Sequence, residues 1–473
     1  MKVLFAASEA YPFAMSGGLA DVAGALPKAL RKRLVGCRIV MPLYSSIPEE
    51  LRREMTFIKS ITVSVSWRRQ YCGIFEAHRD GVIYYFIDNL YYFKRDSMYG
   101  DYDDAERFAF FSRAVLDILP HIDFKPDIIH CNDWQTALVP VYLDAYYRDN
   151  DFYRNIKTVF TVHNIQYQGK YGYEILGDVL GIPKEKESVL DYDGCVNYMK
   201  GAFVTSDRIT TVSPTYAREI MDSYYSHGLD PILRSMSGKL TGIVNGIDYD
   251  VYSPDKDGMI YAPFSIDNMS GKAVNKRELQ RELGLPEQPD TAVIGIVSRL
   301  VNHKGFDLIK CVFEEIAASK VQIVVLGSGE WEYENFFREM AKKYPDKVAF
   351  RSGFIPRLAH CIYAGADIFL MPSKSEPCGL AQMVALRYGT IPVVRQTGGL
   401  NDTIVDSGDG IGNGFTFKSY NAHDMERAVW RALKGYYEDY DGWEILRRRA
   451  MKCDNSWSRS AGEYIKLYKS LLN

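Results

Sequence analysis

Glu376 lies in the run PSKSEPCGLAQMVALRYG, residues 372–389, where a carboxylate is followed by Pro377, Cys378 and Gly379. The apolar residues 368–371 before it read as a buried strand, and Gly379 onward reads as a helix. The acid therefore falls on a strand-to-helix turn at the open end of a parallel sheet. Backbone N–H groups at such a turn can hold an anion or sugar hydroxyls. A rigid elbow of this kind also serves packing alone.

Two cations stand at another strand end. In Ser298-Arg299-Leu-Val-Asn-His-Lys304-Gly305, Arg299 closes a strand and Lys304 follows in a glycine-ended loop. Such a pair suits a diphosphate, because Arg offers a bidentate fork and Lys a point charge. A solvated basic loop is the other reading of the same spacing. His163 and Asn164 close the strand 158–162, where the imidazole either meets a substrate or is simply hydrogen-bonded. Asp133, beside His130 and Trp134, either binds hydroxyls or caps the helix that follows.

The glycine elbow Ser16-Gly17-Gly18-Leu19-Ala20-Asp21 opens the first helix. Without Cβ atoms, its backbone lets a ligand approach closely near the positive end of a helix. It is echoed by Thr397-Gly-Gly-Leu-Asn-Asp402 in the second half of the chain. Neither is a G-x-G-x-x-G fingerprint, and no G-x-x-x-x-G-K-[ST] loop exists, which disfavours a dinucleotide dehydrogenase or a P-loop ATPase. His130, His163 and Glu376 share no metal-ligand spacing, so neither a metal nor a cofactor is expected.

These groups must be positioned by alternating strands and helices. Strands are expected at 2–7, 37–41, 127–131, 158–162 and 208–212, with helices at 18–33 and 106–119. Residues 56–88 read as three sequential strands, a hairpin-rich insertion. A punctuated stretch around Asn245-Gly246 and Ser253-Pro254 precedes a helix at 275–283. A second series of strands follows at 292–298, 322–326, 348–351, 367–371 and 391–394. This alternation predicts an α/β fold of two doubly wound, Rossmann-like domains with parallel sheets. The boundary is placed near residue 250, giving 1–249 and 250–455, with a last amphipathic helix within 456–473.

The length calls for more than one core. A hydrophobic content of 47% with 25% charge is an ordinary globular balance, and a net charge of −3 suggests no nucleic-acid partner. No apolar run is long enough to span a bilayer, and the opening MKVLFAA is too short for a secretory signal. Eight cysteines without paired spacing favour reduced, cytosolic thiols.

The assembled motifs resemble bacterial glycogen synthases and plant starch synthases over essentially the whole chain. The resemblance is carried by SGGLADVAGALPKAL (16–30), RFAFFSRA (107–114), HCNDWQT (130–136), TVHNIQYQG (161–169) and VNGID (244–248). NKRELQRELGLP (275–286), SRLVNHKGFD (298–307), SEPCGLAQMVALRYGT (375–390) and TGGLNDT (397–403) extend it. It implies the GT-B type of fold, two Rossmann-like domains facing across a cleft, with the last helix crossing back to an acceptor-side N-terminal domain. It implies transfer of glucose from a nucleotide sugar, typically ADP-glucose, to the non-reducing-end 4-OH of an α-1,4-glucan with retention. By the same resemblance Arg299 and Lys304 bind the diphosphate. Glu376 holds the glucose with the backbone of Cys378 and Gly379, next to Leu380 and Ala381. His163 and Asn164 lie near the reacting carbon, Asp133 on the acceptor side, Phe354 against the base, and Asn245 in the cleft. Met15, Ser16, Gly17, Gly18 and Asp21 complete the binding set.

Two departures stand out. The family's Lys-Thr-Gly-Gly-Leu is Met15-Ser16-Gly17-Gly18-Leu19 here, and the Thr of Glu-Pro-Cys-Gly-Leu-Thr-Gln is Ala381. A lost charge-assisted donor is worth about 1.5–3 kcal/mol of binding. Three readings stay open: weaker activity, another cation in the lysine's place, or a different donor or acceptor. They extend to a related glycosyltransferase with a small acceptor and to a weakly active glucan-binding paralogue.

Overall fold

The computed structural model describes residues 1–473, apart from the side chain of Asp409. The chain packs as two units: Met1–Gly246 with Trp457–Asn473, and Ile247–Ser456. Each is an α/β unit with its own sheet.

Unit 1 begins with β1 (Lys2–Ala6) and β2 (Gly36–Pro42), joined through the helix α1 (Gly18–Lys32). α1 buries Leu19, Val22, Ala23, Leu26 and Leu30, the stripe its periodicity dictates. Next come β3 (Thr56–Val65), β4 (Arg68–Arg79) and β5 (Val82–Asp88). These strands are not a separate insertion. β5 pairs parallel to β2, and β4 and β3 add antiparallel, so the meander extends the main sheet. The hydrogen-bonding edge of β2 was invisible to local pattern, which shows only strand length and turn positions.

β6 (Ile128–Asn132), β7 (Lys157–Val162), β11 (Arg208–Thr211) and β12 (Leu240–Gly242) complete the sheet. Between them a small sheet forms from β8 (Lys170–Tyr171), β9 (Asp191–Tyr192) and β10 (Cys195–Asn197). The main order is β12-β11-β7-β6-β1-β2-β5-β4-β3. From β1 the chain runs first to β2 and later returns on the other side to β6. The topological switch point is therefore between β1 and β6, where ligands of open α/β sheets bind. The fully buried Val3, Leu4 and Phe5 of β1 anchor this centre, each contributing about 1.5–3 kcal/mol.

The helix Trp457–Leu472 belongs to this unit and packs against α1. Its Tyr468 hydroxyl meets Nδ1 of His130 at 2.6 Å, and Thr161 Oγ1 meets Nε2 at 2.6 Å. Both imidazole nitrogens of this fully buried ring are thus satisfied inside the core. Burial, reinforced by His163, holds the pKa of His130 down at about 3.

Unit 2 carries β13 (Ala292–Val297), β14 (Val321–Leu326), β15 (Val348–Arg351), β16 (Ile368–Met371), β17 (Ile391–Arg395) and β18 (Phe415–Phe417). All are parallel, in the order β15-β14-β13-β16-β17-β18, which puts its switch point between β13 and β16. A buried charge network ties helices to this sheet. Lys276 Nζ donates to Asp367 Oδ2 at 2.7 Å and Arg447 to Asp367 Oδ1 at 2.7 Å, just before β16. Among the described residues, no helix is long and apolar enough to cross a membrane.

Candidate active site

In unit 2 both switch-point strands end in chemistry-bearing loops. Arg299 follows β13 and is exposed. Its guanidinium makes no hydrogen bond or ion pair among the described residues, so its fork is free for an anion. Lys304 is not free in the same way. Its Nζ lies 2.6 Å from Glu376 Oε2, on the loop after β16, and the two side chains are only 15% and 8% exposed. Ser373 Oγ also donates to Glu376 Oε2, at 3.0 Å. The carboxylate and the ammonium, read from sequence as a sugar-holding acid and a diphosphate-binding cation, therefore form one buried pair. His303 is held below its ordinary pKa by burial first and by Lys304 next. That favours a neutral imidazole in the loop that carries both cations.

Three glycines clamp this elbow. A Cβ on Gly305 would lie 2.2 Å from the carbonyl oxygen of Pro372; on Gly398, 1.9 Å from that of Glu376; on Gly399, 2.0 Å from that of Cys378. Gly399 N–H donates to the Glu376 carbonyl at 3.2 Å. The second Gly-Gly motif thus serves close backbone packing behind Glu376. The first is different: nothing approaches within 4 Å of a Cβ at Gly18, and at Gly17 only Glu9 Oε1 does, at 4.0 Å. Similar sequences meet opposite demands, one leaving backbone open and the other filling it.

The helix after the elbow begins at Ala381, two residues later than the pattern predicts. Gly379 has φ 71°, a left-handed conformation that cannot start a helix. Gln382 takes over the local bonding, its Nε2 donating to the Cys378 and Gly379 carbonyls at 3.1 and 3.0 Å. Leu380 and Ala381 are half-buried in the turn. Phe354, after β15, is 79% exposed, a free aromatic face on the same end of the sheet.

In unit 1 the groups gather at the carboxyl ends of β1, β6 and β7. Asp133 has φ 55° and ψ 178°, a region that non-glycine residues occupy only under strain worth about 1–3 kcal/mol. It does not cap the helix that follows, since its side chain makes no cap bond. Instead its Oδ1 accepts the backbone N–H of His163 at 2.7 Å and that of Asn164 at 3.4 Å, binding the two strand ends together. Burial nevertheless pushes its carboxyl up to about 7.

The tautomer of His163 follows from its neighbours. Asn132 Nδ2 donates to the carbonyls of Ala6 and His130 at 3.0 and 3.2 Å, which orients its Oδ1 as acceptor. His163 Nε2 lies 2.9 Å from that oxygen and so carries the proton, leaving Nδ1 as an acceptor. Burial holds the ring's pKa at about 3, so the imidazole is neutral at any working pH.

The comparisons with known proteins agree along the whole chain. Residues 2–235 match the family described as starch synthase catalytic domain, and residues 275–447 that described as glycosyl transferases group 1. A glycogen synthase of Anoxybacillus flavithermus is 52% identical, the match covering 100% of this chain and 98% of the relative. The chain belongs to the glycogen synthase and starch synthase family. A Bacillus cereus glycogen synthase is 53% identical with both chains fully covered. Among solved structures, the catalytic domain of starch synthase IV from Arabidopsis thaliana bound to ADP and acarbose matches with a TM-score of 0.91. It is 34% identical, with 100% of this chain and 99% of that one covered. Sucrose-phosphate synthase from Thermosynechococcus elongatus, 15% identical with a TM-score of 0.60, shares the fold.

One group of this glycogen synthase family member escapes sequence reading. Glu9 is 3% exposed at the end of β1, and its Oε2 accepts the Ser16 backbone N–H at 2.5 Å. Burial raises it to about 7 against the hydrogen bonds of Ser16 and Gly17. It holds the first glycine elbow from beneath. Its only sequence signal is an acid directly after the first strand. Asp21 sits in the first turn of α1. Met15, in the family lysine's place, is 46% exposed. Asn245 is 6% exposed, and its Oδ1 is buried without a hydrogen-bond partner among the described residues, an acceptor that invites a ligand donor.

Proposed function

We propose that this chain is a retaining glucosyltransferase that moves glucose from ADP-glucose to the non-reducing-end 4-OH of an α-1,4-glucan. The observation that carries the reading is the arrangement at the β13/β16 switch point. There the free guanidinium of Arg299 lies on the same loop, after β13, as a lysine that a buried glutamate holds in place. The names of the relatives, and the ADP bound to starch synthase IV, support it.

On this reading Arg299 and Lys304 neutralise the charge that grows on the diphosphate as the C1–O bond to phosphate breaks. The new bond forms between C1 and the acceptor O4 on the same face, and the O4 proton passes to the departing phosphate oxygen. Phe354 stacks on the base. Glu376, held at the elbow, accepts hydroxyls of the transferred glucose. Neutral His163 offers an electron-rich Nδ1 to the sugar as its anomeric carbon becomes positive, which a protonated imidazole would oppose. Asp133 and Asn245 serve the acceptor sugar, and Glu9 fixes the Ser16–Gly18 backbone for the same purpose. The reading places the enzyme in the cytoplasm, where reduced cysteines persist.

The test is direct. Purified protein given ADP-glucose and glycogen is expected to release ADP and lengthen outer chains, with the anomeric configuration retained. Failure to transfer from any nucleotide sugar to any glucan overturns the proposal.

A further inference from the structure

His163 is gripped by two consecutive residues at the end of β6. That strand pairs parallel to β7 with Asn132 opposite Thr161. The Asp133 N–H donates to the Thr161 carbonyl at 2.9 Å, which brings the end of β6 alongside residues 161–163. Asp133 takes the backbone N–H of His163, and Asn132 takes its ring. Asn132 is fully buried and so beyond the reach of a substrate, whereas His163 is half-buried. The ring's Nδ1 has no hydrogen-bond partner among the described residues and is not sealed from solvent.

The carboxamide of Asn132 cannot turn over. Its Nδ2 is held by the carbonyls of Ala6 on β1 and His130 on β6. The flipped amide would set an oxygen 3.0–3.2 Å from those two carbonyl oxygens and aim its NH2 group at the imidazole. The backbone beneath it is fixed as well. The Asn132 N–H donates to Thr136 Oγ1 at 2.6 Å, and that hydroxyl donates to the Asn132 carbonyl at 2.8 Å. β1, β6 and the turn after β6 thus combine to place one oxygen atom.

Packing does not require that oxygen, since a leucine of similar size would fill the same space. What the oxygen adds is a choice between the two ring nitrogens, because the partner of one nitrogen decides which of them carries the proton. An imidazole without it spreads its proton over both tautomers, and the Nδ1–H form presents a donor where a lone pair now stands.

We propose that Asn132 is a positioning residue for glucosyl transfer. Its fixed oxygen keeps the ring proton of His163 on Nε2 and so presents the Nδ1 lone pair to the open side. The kinetic part of this proposal rests on the glucosyltransferase reading above; the tautomer does not.

The experiment labels the eight histidines with 15N and assigns the His163 signals through His163→Gln. Wild type should show a protonated Nε2 and a bare Nδ1. Asn132→Leu should move the proton toward Nδ1 and lower kcat roughly tenfold, the worth of one hydrogen bond, with the KM for ADP-glucose unchanged. Asn132→Asp still turns an oxygen to Nε2, so it should keep the wild-type tautomer and recover most of the lost kcat. A wild-type proton on Nδ1 overturns the proposal, and that measurement needs no variant to fold. An unmoved tautomer or an unchanged kcat in Asn132→Leu also overturns it, as do equal losses in the two variants, which a merely structural role would give. If wild type transfers no glucose, the functional reading falls, and the tautomers of wild type and Asn132→Leu alone then decide whether Asn132 positions His163.

Discussion

If Lys304 faces the diphosphate as proposed, substituting it should do more than remove that charge, because the structure also pairs it with Glu376. Its ammonium and the Glu376 carboxylate are 2.6 Å apart, and both side chains are nearly excluded from solvent. Removing one partner of a buried pair strands the other, at a cost of about 3–5 kcal/mol. The Ser373 hydroxyl still donates to the carboxylate, so Lys304→Met is placed at the low end, about 3 kcal/mol. Glu376→Gln costs less, since an amide oxygen still accepts from the ammonium. The double variant removes both charges and should be little worse than Lys304→Met alone. The expected coupling is about 2–3 kcal/mol, the upper part of the range for contacting residues. Native-state hydrogen exchange at amides of β13 and β16 reads this directly, without requiring the two units to unfold together. All three variants should lose transfer activity. A coupling below about 0.5 kcal/mol would equate the pair with a solvent-screened surface bridge and refute the two-task reading of Lys304.

Phe354→Ala should leave stability within about 0.5 kcal/mol, as expected at an exposed position, yet weaken ADP binding roughly tenfold through the lost base stack; titration calorimetry and thermal unfolding check the two halves. Gly398→Ala should sharply reduce turnover although no side chain there is assigned to substrate, because its Cβ would sit 1.9 Å from the Glu376 carbonyl at φ 44°; steady-state kinetics at normal donor concentration would show it, and wild-type turnover would refute the clamp. Asp133 titrates at about 7 in the folded chain. A raised carboxyl contributes stability that is present below its unfolded pKa and is lost as pH rises through the folded value. Asp133→Asn should therefore gain stability relative to wild type as pH rises from about 4 to above 7. Denaturation of the two proteins side by side across that window tests it, and a constant difference would contradict the assignment.

Much of this was legible in the chain. Short apolar runs separated by amphipathic helices dictate parallel sheets, and the polar residues directly after those runs fall at strand ends by necessity. That is why Asp133, His163, Arg299 and Glu376 could be picked out. What was illegible depends on partners distant in sequence. The pairing of Lys304 with Glu376 spans 72 positions and arises because β13 and β16 are neighbours in the sheet. The two Gly-Gly elbows look alike as strings, but only a fold shows that one faces open space and the other a row of carbonyls. Glu9 was missed because a single acid after a strand carries no pattern, and its role exists only once the Ser16 turn folds over it. The extension of the main sheet by β3–β5 likewise depended on an edge that hydrophobic alternation does not encode.

The hydrogen bond between Tyr468 and His130 also has a consequence for the order in which the chain can mature. During synthesis the strands of unit 1 emerge first, but the helix that completes its core follows the whole of unit 2 in the chain. Until then His130 lacks the partner of its Nδ1, and the Val244 carbonyl lacks the Ser460 hydroxyl that binds it at 2.7 Å, one residue before Asn245. The nascent first unit therefore waits on the ribosome with an open seam. A chain cut short before Trp457 lacks that face of its first core and leaves the His130 ring without its Tyr468 partner.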